Sequence, residues 1–147
     1  MKKQKSLKKT ALQDNFAFVA IDEYNTKTQI IPLLLDKNTR KKILDEHKNN
    51  PFGMSGDKEH PTKVYSAELA RIIDKLRVQP TNGKLALYQP NCNGPFHIVE
   101  LPGKRGEKIR ELGMIFEDRA KAEHVIFKKR IINLLAQYGF ELAETEC

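Results

Sequence analysis

The chain has 147 residues, with 26 Lys and Arg against 19 Asp and Glu for a formal charge of +7, and it is 39% apolar and 31% charged. That balance belongs to soluble globular chains. Its longest unbroken apolar run, Phe16 to Ile21, has six residues where a membrane span needs roughly 20, so no transmembrane helix is expected. Cys92 and Cys147 are the only thiols, too few for a disulfide framework, which favours a reducing, cytoplasmic setting.

The charge is concentrated at the start. Lys2, Lys3, Lys5, Lys8 and Lys9 supply five positive charges with no acid among the first ten residues, leaving the remainder at +2. Gln13, Asp14 and Asn15 interrupt what would be the apolar core of a secretory signal, so a cleaved leader is not expected; export without one leaves no trace in sequence. Residues 1–13 read as a disordered basic tail, because a Lys-rich, apolar-poor segment cannot bury enough surface to offset the entropy of ordering. Residues 14–147 have the length of a single domain, and their short acidic end is compatible with excision from a longer protein.

Phe16 to Ile21 is apolar on both faces of an extended chain and is read as a buried strand. Gln29 to Leu35 follows as its hairpin partner, with Pro32 at an edge or bulge. Asp36 or Asn38 is placed to cap a helix running to about Lys48, with Arg40, Lys41 and Lys42 outward and Ile43, Leu44 and His47 inward. A loop rich in turn formers continues from Asn49 towards Pro61. Ser66 then caps a helix over Ala67 to Arg77, where Leu69, Ile72, Ile73 and Leu76 recur at helical spacing.

Asn82-Gly83 signals a turn before a second strand pair, Leu85 to Tyr88 and Phe96 to Leu101. From Glu107 onward Ile109, Leu112, Phe116, Ala120, Phe127, Ile131, Leu134 and Tyr138 project to one side of a helix. Gly113 divides that helix into a short piece and a long one of roughly 22 residues, and Gly139 suits the left-handed residue after its end, with Phe140 turning back on the last turn. The expected fold class is α+β: a largely antiparallel sheet of about four strands from two hairpins, two shorter helices, and a long C-terminal helix packed over it.

Candidate chemistry is sparse. Gly103, Lys104, Arg105, Gly106 and Lys108 join a strand to an expected helix, and glycine N–H groups, three cations and a helix N-terminus together could hold a phosphate. The spacing is neither a P-loop nor a dinucleotide fingerprint. Lys121, Lys128, Lys129 and Arg130 read as a solvated helix face, with Glu117–Lys121 and Arg119–Glu123 as i, i+4 pairs. Cys92 lies five residues before His97 in a turn, the two groups a thiol nucleophile and its base would need, with no third orienting residue. His47, His60, His97 and His124 share no metal spacing, so neither a metal nor a cofactor is expected; His124 reads as a flank residue packed on the core. Glu100 alternates with Ile98 on the last strand.

No family resemblance emerges from these residues. The reading they support is a small non-enzymatic protein–protein interaction module, with a protein as the first-choice partner. The alternative is a nucleic-acid or phosphate binder using the tail and the Gly103–Gly106 loop, and the third is an enzyme of unrecognised type using Cys92 and His97.

Overall fold

A computed structural model describes residues 15–53 and 64–147. The basic tail, the end of the loop towards Pro61, and His60 lie outside the described residues. The elements in order are α1 (Asn15–Asn25), a π-helical turn (Thr26–Ile30), α2 (Ile31–Leu35), α3 (Lys37–Asn49), α4 (Ala67–Arg77), β1 (Leu85–Tyr88), β2 (Phe96–Glu100), β3 (Arg110–Phe116), α5 (Arg119–Gln137) and a 3₁₀ turn (Glu144–Glu146). The class is α+β as expected, with the long α5 packed on all three strands. The sheet has three strands rather than four.

The first expected hairpin is helical. A short apolar run is equally compatible with a buried strand and with a helix, and here Ile30, Ile31 and Leu34 are buried together at helical spacing while Val19, Ile21 and Tyr24 stay exposed. Pro32 occupies the opening turn of α2, where the missing N–H costs nothing, rather than a strand edge. Between α1 and α2 the Thr26 hydroxyl donates to the Asp22 carbonyl at 2.8 Å and the Thr28 hydroxyl to Tyr24 at 2.7 Å. Such back-bonding loads carbonyls of the preceding turn and bends a helix, which fits the wider π turn at this point. Lys75 Nζ meets Asp22 at 2.6 Å and ties α4 to α1.

Both expected caps are present. The Asp36 carboxylate accepts from the Thr39 N–H at 2.8 Å and the Thr39 hydroxyl at 2.6 Å, which holds its carboxyl below the usual acid range. The Ser66 hydroxyl accepts from the Leu69 N–H. At the far end of α5 the Gly139 N–H donates to Ala136 and the Phe140 N–H to Leu135, at 3.1 and 2.9 Å, with Gly139 at φ +84°. This is the Schellman closure that only a residue tolerant of the left-handed region completes without strain.

β1, β2 and β3 form an antiparallel meander in chain order. The segment after Glu107 therefore departs from expectation: its first part is β3, and the long helix begins only at Arg119. Leu112, Met114 and Phe116 alternate half-buried with exposed neighbours, a period of two that the helical projection overlooked. The register explains the ambiguity. Between His97 and Val99 on β2 the chain takes two steps, whereas β3 takes four from Ile115 to Glu111, and Gly113 lies within this bulge at φ +75°.

Two cores result. The larger gathers Ile30, Ile31, Leu34, Ile43, Leu44, Leu69, Ile72 and Leu76 against Phe127, Ile131, Leu134 and Leu135 of α5. The smaller, under the sheet, is Leu85, Ile98 and Ile126 with half-buried flanking side chains. α5 feeds both.

Candidate functional site

Residues from the C-terminal turns of α3 and α4 and from the middle of α5 line a cleft of about 370 Å³. His47 comes from the inward face of α3, Pro51 and Phe52 from the turn after it, Ile73 and Arg77 from α4, Lys84 from the entry to β1, and Glu123, Phe127 and Arg130 from α5. Tyr65 also lines it, its hydroxyl donating to the Asn50 carbonyl at 2.7 Å, and burial raises its phenol pKa. The Arg119 guanidinium lies 4.8 Å from the centre of the Phe52 ring.

Beside the cleft two histidines meet. His47 stacks on Phe127 with ring centres 3.9 Å apart and planes 11° from parallel, and its Nδ1 lies 2.9 Å from Nδ1 of His124. One ring must donate and the other accept, so the accepting ring is neutral with its proton on Nε2, and the two rings cannot both be cationic. Burial lowers the His47 pKa to about 3 and that of His124 to about 4, the latter aided by Lys128 and Lys48. The sequence placed each residue at a core flank; their pairing depends on how α3 crosses α5.

Arg130 was expected on a solvated face and is instead half-buried. Its Nη2 donates to the Leu85 carbonyl at 2.6 Å, joining α5 to β1, and its Nε–H is shielded from solvent with no acceptor. Lys84 Nζ donates to the Arg77 carbonyl at 2.6 Å, and burial together with Arg130 lowers its pKa. Arg40 is likewise not outward: it is 7% exposed and donates from Nη1 to the Leu34 carbonyl at 2.9 Å and from Nε to that of Glu146 at 3.3 Å. Lys128 and Lys129 are likewise half-buried rather than solvated, Lys129 pairing with the exposed Glu144 at 2.8 Å, while Lys121 is exposed.

The residues singled out from sequence are not in this cleft. Gly103, Lys104, Arg105, Gly106 and Lys108 are exposed on a loop leading into β3, so the helix N-terminus that would have favoured an anion there is missing. Gly103 is needed for a different reason, since a Cβ there would come within 2.8 Å of the Asn82 side chain. Cys92 is exposed in the β1–β2 turn, which the Gln89 amide braces by donating to the Cys92 and Gly94 carbonyls. His97 lies on β2, where Nδ1 faces Glu111 at 3.5 Å; its acidic neighbour is on β3, and the structure records no thiol–imidazole contact. Glu100 pairs with Arg110 at 3.5 Å. The Arg119–Glu123 pair forms at 3.7 Å, whereas Glu117 precedes α5. Among the described residues no three His, Cys, Asp or Glu side chains are grouped to hold a metal, and no helix is long and apolar enough to cross a membrane.

Fold and cleft together define an α+β chain in which helical and sheet cores share one long helix. The model of the N,N-dimethylformamidase alpha subunit family matches residues 22–141, from α1 through the closure after α5. The chain belongs to that family. It is similar to the N,N-dimethylformamidase alpha subunit of Paracoccus aminophilus, with 34% identity over 96 residues covering 60% of this chain and 57% of that protein. It is also similar to the alpha subunit from an Alcaligenes species, with 31% identity over 96 residues covering 65% of this chain and 66% of that one. The match thus spans less than two thirds of either relative's length. Membership in a family of enzyme subunits overturns the expectation of a non-enzymatic binding module of unknown function. It gives no support to nucleic acid as the partner, while a protein partner fits the relatives' designation as subunits.

Proposed function

We propose that this chain serves as the alpha subunit of a multi-subunit amide hydrolase acting on N,N-dimethylformamide or a closely related small formamide. The observation that carries the reading is the family match over residues 22–141, which includes every strand, the whole of α5 and both cores. The reaction implied by the relatives' name is addition of water across the formyl C–N bond, giving formate and dimethylamine. In this reading the chain works in complex with a second, different chain, and turnover belongs to the complex.

The test is to purify the tagged chain from its own host with whatever binds it stoichiometrically. Release of formate and dimethylamine in equal amounts from N,N-dimethylformamide is the expected result, with activity lost when the co-purifying chain is removed and restored on recombination. A purified complex that leaves a panel of formamides intact would overturn the assignment. Equal turnover by the isolated chain would overturn its multi-subunit part.

A further inference from the structure

A surface helix of a folded domain turns its apolar stripe to the core and its polar face to water. α1 does the opposite. Asp22 is fastened to Lys75 of α4 at 2.6 Å. Asp22 and Asn25 of α1 and Gln29 of the π turn line a polar groove together with Arg71, Asp74 and Lys75 of α4, so the polar side of the helix is the one turned to the body. At about 100° per residue, Ala20 and Tyr24 lie about 160° from Asp22, with Ile21 beside Tyr24. All three are exposed, Ile21 at 58% and Tyr24 at 67%.

The chain's longest apolar run, Phe16 to Ile21, lies in this helix. Among the described residues α1 packs closely only on the π turn that follows it. Apolar side chains grouped on one exposed face, with polar ones turned inward, mark an interaction surface.

Charge selects between occupants. The sequence ahead of α1 carries Lys2, Lys3, Lys5, Lys8 and Lys9 with no acid among the first ten residues. A second copy would bring the same five lysines and the same net charge of +7 to the contact, and like charges set against each other oppose association. A surface with carboxylates beside an apolar groove gains from both features.

We propose that α1 is a docking helix: Ala20, Ile21 and Tyr24 seat in an apolar groove on the second, different chain of the complex, and carboxylates on the rim of that groove receive the lysines ahead of the helix. This is helix-in-groove recognition, with apolar anchors at helical spacing. The inference rests on the multi-subunit reading above and not on which substrate the complex hydrolyses.

The experiment separates the chain that co-purifies with the tagged protein and recombines it with full-length variants, affinity being read by calorimetry. Ala20→Glu combined with Tyr24→Glu is expected to weaken the complex at least about a hundredfold, while the melting temperature of the isolated variant stays close to that of the parent. Replacing Lys2, Lys3, Lys5, Lys8 and Lys9 by glutamine is expected to weaken it about tenfold and to flatten its dependence on salt. Ile115→Glu, at an exposed apolar position on β3, is expected to bind like the parent. Photo-reactive benzoylphenylalanine in place of Tyr24 is expected to cross-link to the partner chain.

Parental affinity in the α1 double variant would overturn the docking role even where the complex hydrolyses formamides. Cross-links between two copies, or equal loss of binding in Ile115→Glu, would also overturn it, and parental salt dependence in the five-glutamine variant would remove the acidic rim. A complex that forms through α1 yet leaves formamides intact would overturn the amide-hydrolase reading alone. A chain that purifies as a monomer without a partner would overturn this inference and the multi-subunit reading together.

Discussion

Arg40 shows how a single side chain connects distant parts of this chain: it rises from α3 and gives hydrogen bonds to carbonyls at the end of α2 and in the C-terminal 3₁₀ turn. Arg40→Met should cost about 2 kcal/mol, because those carbonyls lose their donor in a water-poor setting, and urea denaturation read by circular dichroism would measure it. The histidine pair makes a pH prediction. Both folded-state pKa values lie below the ordinary 6.5, at about 3 for His47 and about 4 for His124. As pH falls the unfolded chain takes up these protons first, so the stability present above pH 6.5 is lost progressively as pH drops towards 4 and below. The slope contributed by His47 should approach 1.4 kcal/mol per pH unit at most, and that of half-buried His124 should be smaller. Denaturation midpoints across this range, compared with those of a His47→Phe variant of shallower slope, would check it. None of this was readable from residue type alone: Arg40 and Arg130 look like solvent-facing cations, and only the crossing of α3 and α5 sets His47 on Phe127 and against His124.

At the scale of elements, what the sequence announced reliably were the ends. Asp36, Ser66 and Gly139 mark helix boundaries through chemistry confined to four or five neighbouring residues, and all three do so in the structure. Ser66→Ala is accordingly expected to cost about 1 kcal/mol, measurable as a lowered denaturation midpoint with an unchanged slope. The interiors were harder. Phe16 to Leu35 carries apolar residues dense enough to satisfy two periodicities, and the choice between them was made by packing against α4 and α5, which no local pattern encodes. β3 failed in the opposite direction: Ile109, Leu112 and Phe116 match a helix, and the alternation of Leu112, Met114 and Phe116 is interrupted by a glycine bulge. Gly113→Ala tests that account. A Cβ there meets nothing within 4 Å, so the expected loss of about 1–2 kcal/mol would arise from the positive φ alone, and Gly113→Asn should recover part of it.

For the molecule as a whole, the unequal cores imply unequal stability. Among the described residues the helical core holds twelve buried residues and the sheet core three, and α5 is the bridge between them. Amides of β1, β2 and β3 are therefore expected to exchange with deuterium well before those of α4 and the second half of α5, because regions with little buried apolar area open at lower free energy. Hydrogen exchange with mass spectrometry would show it; uniform protection across both parts would mean a single cooperative unit. The α+β class and the long helix over the sheet followed from composition and periodicity, while the cleft over α5 did not, since its walls come from five separate segments.

The bulge in β3 has a consequence for how copies of the chain behave when crowded. Among the described residues the three-stranded meander has two open edges, each a row of backbone donors and acceptors that another strand could extend. On β3 the two extra residues at Gly113, with Arg110 and Glu111 at the strand's start, disrupt the flat ladder that such an addition requires. The glycine that misleads a helical reading of this segment thus also makes the β3 edge a poorer template for a further strand than an unbulged register would be.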